Sequence, residues 1–121
     1  MGLIPEERDE MSLHNLTGFQ CDLLFVIAKL EKPHGLEIKD ELQEHYEQNI
    51  RHGRLYPNLD ALVEADLVEK GKKDDRSNEY RLRERGRSEL KNRLEWELEC
   101  LPDSLIAELE HVSVKTVPEQ A

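Results

Sequence analysis

Between residues 53 and 66 the apolar positions fall at the spacing of one helix face: Leu55, Leu59, Leu62 and Val63 stand at i, i+4, i+7 and i+8. Pro57 would break a helix interior but is tolerated in a first turn, so this helix is predicted to begin near Gly53 or Arg54. Its outer face carries Arg54, Asn58 and Ala61, with Arg51 and His52 just before it. Small and polar residues around a lone arginine suit a helix that inserts its N-terminal half into a DNA major groove. An ordinary surface helix has the same pattern.

The flanking patterns place this helix in a larger unit. Leu13, Leu16, Phe19, Gln20, Leu23, Leu24, Val26, Ile27 and Leu30 follow a helical period, capped by Asn15 or Thr17 and ended by Lys32-Pro33-His34-Gly35. A second helix is predicted from Leu36 to Glu47, with Leu36, Ile38, Leu42 and Tyr46 facing inward. Two helices joined by a short Gly-containing connector, after an apolar helix, make a helix-turn-helix. Val68 with Lys70, and Tyr80 with Leu82, then alternate as strands do around the polar turn from Lys72 to Asn78. That hairpin is a wing, and Lys72, Lys73 and Arg76 at its tip are candidates for phosphate or minor-groove contacts, although hairpin tips are often charged simply because they are wet.

From Glu84 a narrow seam appears: Leu90, Leu94, Leu98, Leu101 and Leu105 recur among Glu, Lys and Arg, with Pro102 starting a second short helix. A seam this narrow, beyond a complete small core, is expected at a subunit contact, with Trp96 filling a gap between subunits; packing back on the first helix is the alternative. The expected fold is α+β, mainly α. It comprises an N-terminal arm at 1–12, a winged helix-turn-helix of three helices and a β-hairpin at 13–83, C-terminal dimerisation helices at 84–110, and a tail at 111–121.

Charge complicates the DNA reading. The 121 residues carry a formal net charge of -10, which alone argues against a nucleic-acid partner. The charge is uneven, however. Residues 51–87 hold ten Lys and Arg against eight Asp and Glu, whereas the remainder holds seven against nineteen. The cationic residues therefore concentrate where a DNA-reading surface is predicted. The first ten residues show no basic n-region and no long apolar core, and the longest apolar run, Leu23 to Ala28, cannot span a bilayer, so a soluble cytoplasmic protein without membrane contact is expected.

The order of elements and their residues together resemble the PadR family of winged-helix transcriptional regulators. The resemblance spans residues 16–101. It is carried by Pro33-His34-Gly35-Leu36-Glu37-Ile38, by Gly53-Arg54-Leu55-Tyr56-Pro57 with Leu59 and Leu62, by Ala65-Asp66-Leu67-Val68, by Asn78-Glu79-Tyr80-Arg81-Leu82, and by Glu84 to Gly86. The run around Leu55-Tyr56-Pro57 is fairly specific, while the other motifs fit many winged helices. The family usually has Thr or Ser where Arg54 stands and Gly where Asp66 stands, which implies altered base contacts and a different helix end. The short C-terminal extension resembles the small subclass that dimerises through one helix after the wing, and the acidity resembles proteins of extreme halophiles.

The resemblance implies a homodimer that binds double-stranded DNA at a pseudo-palindromic operator, as a repressor adapted to high salt and responsive to stress. Arg54 is expected to read a base and Asn58 to read adenine or hold a phosphate, with Arg51, His52 and Tyr56 on the backbone. No cofactor or small-molecule ligand is implied, although K+ or other cations held between DNA phosphates and Asp60, Glu64 and Asp66 would reverse the usual salt dependence. Neither His nor Cys spacing forms a metal motif, and no catalytic constellation stands out, so an enzyme is not expected. Cys21 and Cys100 are candidate redox residues, though inert thiols are the commoner case. The competing reading is an acidic protein–protein interaction module on a winged-helix scaffold; a DNA mimic would have no reason to keep Arg54 and a basic hairpin tip.

Overall fold

A computed structural model describes residues 13–72, 74 and 77–113. Among them, a short 3-10 turn at Leu13–Asn15 leads into α1 (Gly18–Leu30), α2 (Gly35–Tyr46) and α3 (His52–Glu64). A hairpin of β1 (Val68–Lys72) and β2 (Asn78–Leu82) follows, then α4 (Glu84–Cys100) and α5 (Asp103–Ser113). The chain divides into two compact units, one ending at Leu90 and the other beginning at Lys91.

The first unit is a winged helix. Thr17 rather than Asn15 caps α1: its Oγ1 accepts the Gln20 backbone N–H at 3.1 Å, and Gln20 Oε1 accepts the Thr17 N–H at 3.1 Å. Phe19, Leu23, Leu24 and Ile27 of α1 meet Ile38 and Leu42 of α2 and Leu55, Leu59 and Leu62 of α3 in one buried core. The strands pair antiparallel with Val68 opposite Leu82 and Lys70 opposite Tyr80, and Val68 and Tyr80 close the core from the sheet side. A bridge between His34 and Glu79, and a 2.8 Å bond from Tyr80 N–H to the Pro33 carbonyl, attach the turn before α2 to the wing.

Two tight ends shape the unit. Helix α3 closes with a 3.1 Å bond from Leu67 N–H to the Leu62 carbonyl and a 3.0 Å bond from Asp66 N–H to the Val63 carbonyl, while Asp66 takes φ 67°. That is the left-handed position a glycine normally fills, so an aspartate there is tolerated at a small conformational cost. Beyond it, a Cβ on Gly86 would lie 2.3 Å from the Leu67 carbonyl oxygen, so only glycine lets α4 start against this corner.

Several expectations shift. Helix α3 begins at His52, which makes Pro57 its sixth residue and not a first-turn residue. The bond Pro57 forgoes is to the carbonyl of exposed Gly53, which water can serve. Leu36 is not an inward residue: it is 52% exposed and lines a groove between the start of α2 and the wing, with Tyr56 and Asn78. Leu90, predicted at the subunit seam, is instead buried in the core of the first unit. Helix α5 runs on to Ser113, past the expected tail boundary at 111.

The second unit continues α4 and includes α5. It leaves Leu94, Trp96, Leu98, Leu105 and Leu109 between 41 and 54% exposed. Among the described residues no helix is long and apolar enough to cross a membrane. The arm at 1–12, Lys73, Arg76 and the tail beyond Ser113 lie outside the described residues.

Candidate nucleic-acid interface

The N-terminal half of α3 emerges from the core with its cationic residues outward. Leu55, Leu59 and Leu62 are buried, which turns Arg51, His52, Gly53 and Arg54 to solvent at the helix start. Arg51 takes the N-cap position, where its carbonyl accepts the N–H groups of Arg54 and Leu55 at 3.0 Å. His52 stacks on Tyr56 with ring centroids 5.5 Å apart and planes 18° from parallel.

Tyr56 is half-buried and lies against Gly35 at the start of α2; a Cβ on Gly35 would meet the Tyr56 hydroxyl at 2.4 Å. The glycine of the Pro33-His34-Gly35 turn and the tyrosine of the α3 motif are therefore two halves of one contact. Tyr56 packs within the fold as well as presenting an edge beside His52.

Arg54 is exposed, yet it is not loose. Its Cζ lies 4.0 Å from the centroid of the Phe19 ring. Asn58 is held at both ends of its amide. Its Oδ1 accepts from Gln20 Nε2 at 2.8 Å, and its Nδ2 donates to the Arg54 carbonyl at 2.6 Å. Each polar atom of this amide thus has one partner and keeps one further hydrogen-bonding site, so Asn58 is held against α1 and its own helix without being used up.

Nearby, Tyr46 donates to Asp22 at 2.6 Å, joining α2 to α1. Burial, then the hydrogen bond to Asp22 and its charge, push the Tyr46 phenol up to about 12, with Arg54 pulling the other way.

Acidic residues around α3 are partly neutralised within the chain. Asp60 pairs with Lys70 at 3.2 Å, and Asp66 with Arg83 at 3.9 Å. These pairs weaken the case for Asp60 and Asp66 as cation hosts, while Glu64 stays exposed on α3. On the wing, Lys72 ends β1 with its side chain in solvent, and Asp74 organises the turn by accepting from Ser77 N–H at 2.9 Å and Ser77 Oγ at 3.1 Å.

Of the expected subunit-contact residues, Leu94, Trp96, Leu98 and Leu105 are exposed and Leu101 is half-exposed. Arg93 binds Glu97 at 2.9 Å and stands 5.8 Å from the Trp96 ring. Cys21 is half-buried with its Sγ 4.0 Å from the Leu13 carbonyl oxygen, whereas Cys100 is exposed. Among the described residues no group of three or more His, Cys, Asp or Glu is placed to hold a metal ion.

Phe19 and Gln20, which the sequence placed only in the stripe of the first helix, sit on α1 against Arg54 and Asn58 of α3. Gln20 carried a signal: it is a polar residue inside an otherwise apolar helical stripe.

Three helices with an exposed cationic start on the third, followed by an antiparallel hairpin attached to the turn before α2, define a winged-helix domain of the kind that transcriptional regulators use. The chain belongs to the transcriptional regulator PadR-like family, whose model matches residues 23–92. It is similar to RosR of Halobacterium salinarum. With RosR in the RosR–S1 complex it shares 38% identity at a TM-score of 0.80, over 88% of this chain and 95% of that one. With RosR grown from NaBr it shares 41% identity at a TM-score of 0.76, over 84% and 94%. Escherichia coli MarR in its apo form, at 23% identity and a TM-score of 0.58 over 97% of this chain, shares the fold. No curated protein matches the chain significantly in sequence.

Proposed function

We propose that this protein is a cytoplasmic homodimer that binds a pseudo-palindromic operator and represses the adjoining promoter in concentrated salt. The observation that carries the reading is the start of α3. A buried face fixes the helix, and Arg51, His52 and Arg54 stand exposed together at its N-terminal half. In a two-fold dimer two such helices reach successive major grooves one helical turn apart. Arg54 then reads a guanine, Arg51, His52 and Tyr56 hold backbone phosphates, and Lys72 with Lys73 and Arg76, which follow it in sequence, contact DNA from the wing.

The two subunits meet through Leu94, Trp96, Leu98, Leu101 and Leu105, whose exposed apolar surface otherwise faces water. Twice the formal charge of -10 makes the dimer about -20, a strong repulsion from DNA in dilute buffer. At molar salt the screening length falls to about 3 Å and the repulsion vanishes.

The test is fluorescence anisotropy of a labelled fragment from the gene's own upstream region, titrated at KCl concentrations up to molar. Binding that persists or strengthens with salt and is weakened about tenfold in Arg54→Ala is expected. Affinity that falls steeply and monotonically with KCl sinks the salt-adaptation reading, and no sequence preference at any salt sinks the operator reading.

A further inference from the structure

The start of α1 and the start of α3 are joined by a continuous chain of hydrogen bonds. Thr17 N–H donates to Gln20 Oε1, Gln20 Nε2 donates to Asn58 Oδ1, and Asn58 Nδ2 donates to the carbonyl of Arg54. Gln20 thus uses one end of its amide to cap its own helix and the other to grip α3, 38 residues away in sequence. Beside this chain the Arg54 guanidinium lies over the face of Phe19, a ring only 7% exposed and therefore fixed by the core.

Geometry decides what such a contact does to an arginine. The five N–H donors lie in the guanidinium plane and point from its edge, so a guanidinium resting flat on a ring keeps them available. The same stacking removes rotamer freedom that a long side chain would otherwise lose on binding. A carboxylate partner would have occupied the donors; an aromatic floor does not.

We propose that Phe19 and Gln20 are positioning residues for DNA reading. Phe19 holds the Arg54 guanidinium with its donor edge outward. Gln20 fixes the Asn58 amide, which in turn holds the carbonyl of Arg54, so that the residue reading a base is set at a fixed height at the start of α3. Selectivity is therefore set partly on α1, in a turn that lies before the segment matched by the family model. The inference rests on Arg54 being the base reader, and the experiment separates the two.

The measurement is the ratio of affinities for the upstream promoter fragment and a scrambled duplex of equal length, at one high KCl concentration. The proteins compared are the wild type, Arg54→Ala, Phe19→Leu, Phe19→Tyr, Gln20→Met and the Phe19→Leu/Arg54→Ala double variant. Arg54→Ala is expected to lower the ratio about tenfold. Phe19→Leu should lower it about threefold, with Phe19→Tyr restoring it, because tyrosine keeps the aromatic face. In the Arg54→Ala background Phe19→Leu should change nothing, and Gln20→Met should give a loss similar to that of Phe19→Leu.

A variant damaged in folding would lose affinity for both duplexes together and leave the ratio intact, so misfolding cannot imitate the effect. The proposal is overturned if Phe19→Leu and Gln20→Met both leave the ratio unchanged while Arg54→Ala lowers it. It is equally overturned if Phe19→Leu acts as strongly without Arg54 as with it. An unchanged ratio in Arg54→Ala removes the base-reading role itself, and the platform with it.

Discussion

The winged-helix body and the helical extension after Leu90 use leucine in opposite ways. In the body Leu23, Leu24, Leu55, Leu59 and Leu62 are wholly buried within one chain. In the extension Leu94, Leu98, Leu105 and Leu109 leave more than two-fifths of their surface in water. Periodicity alone does not distinguish these cases, since both show apolar residues at helical spacing. The difference lies in what surrounds each helix. The body supplies two further helices and a hairpin to cover its stripes, whereas the extension consists of two helices that leave these leucines in water. The body should hold its own stability, and the extension should draw on association.

The largest test of this contrast is Leu59→Ala. It should lower unfolding stability by about 3 kcal/mol, whatever the protein concentration, because it opens a cavity in a closed core. Chemical denaturation at two protein concentrations checks it, and a loss that varied with concentration would erase the distinction between the regions. Next, Leu98→Glu should weaken dimer formation by at least about tenfold, roughly 1.4 kcal/mol, while leaving the far-ultraviolet circular dichroism of the body intact. Sedimentation velocity reads this directly, and an unchanged dimer would move the subunit contact elsewhere.

A smaller effect sharpens the account of the body. Asp66→Gly should raise stability by about 0.5–1 kcal/mol, since it relieves a left-handed aspartate at the end of α3 and gives up only an exposed 3.9 Å ion pair. A loss on thermal melting would show the Arg83 pair outweighing the backbone.

The smallest effect is alkaline. The folded Tyr46 phenol sits near 12, above its ordinary value of 10.0, so folding favours the protonated form. The resulting stabilisation is complete below pH 10 and disappears as pH rises through about 12. Wild type should therefore lose slightly more stability than Tyr46→Phe across that interval, and parallel curves for the two proteins would contradict a phenol raised by burial and by Asp22.

The helices, the hairpin and the cationic start of α3 were legible because burial imposes a period on the chain. Local chemistry narrowed the cap of α1 to Asn15 or Thr17, and the capping box with Gln20 selects Thr17. The position of Leu90 was not legible, because a residue on the first apolar turn of a long seam belongs to whichever surface arrives first, and here the body does. Leu36 was misplaced for a related reason. Two residues before Ile38 on a helix of 3.6 residues per turn, it points to the face opposite the core that Ile38 and Leu42 share. Helical spacing puts Asn58 beside Arg54. Its commitment to Gln20 depends on the approach of α1 to α3, which no local pattern encodes.

The contact between Gly35 and Tyr56 bears on how sequences of this shape can diverge. The hydroxyl of one residue fills the space where the Cβ of the other would stand. Position 35 can accept alanine readily only after position 56 has given up its large ring. Changes at the two sites should thus accumulate in a fixed historical order, tyrosine first and glycine second. A lineage that keeps the tyrosine keeps the glycine as a hostage, however far its remaining surface drifts.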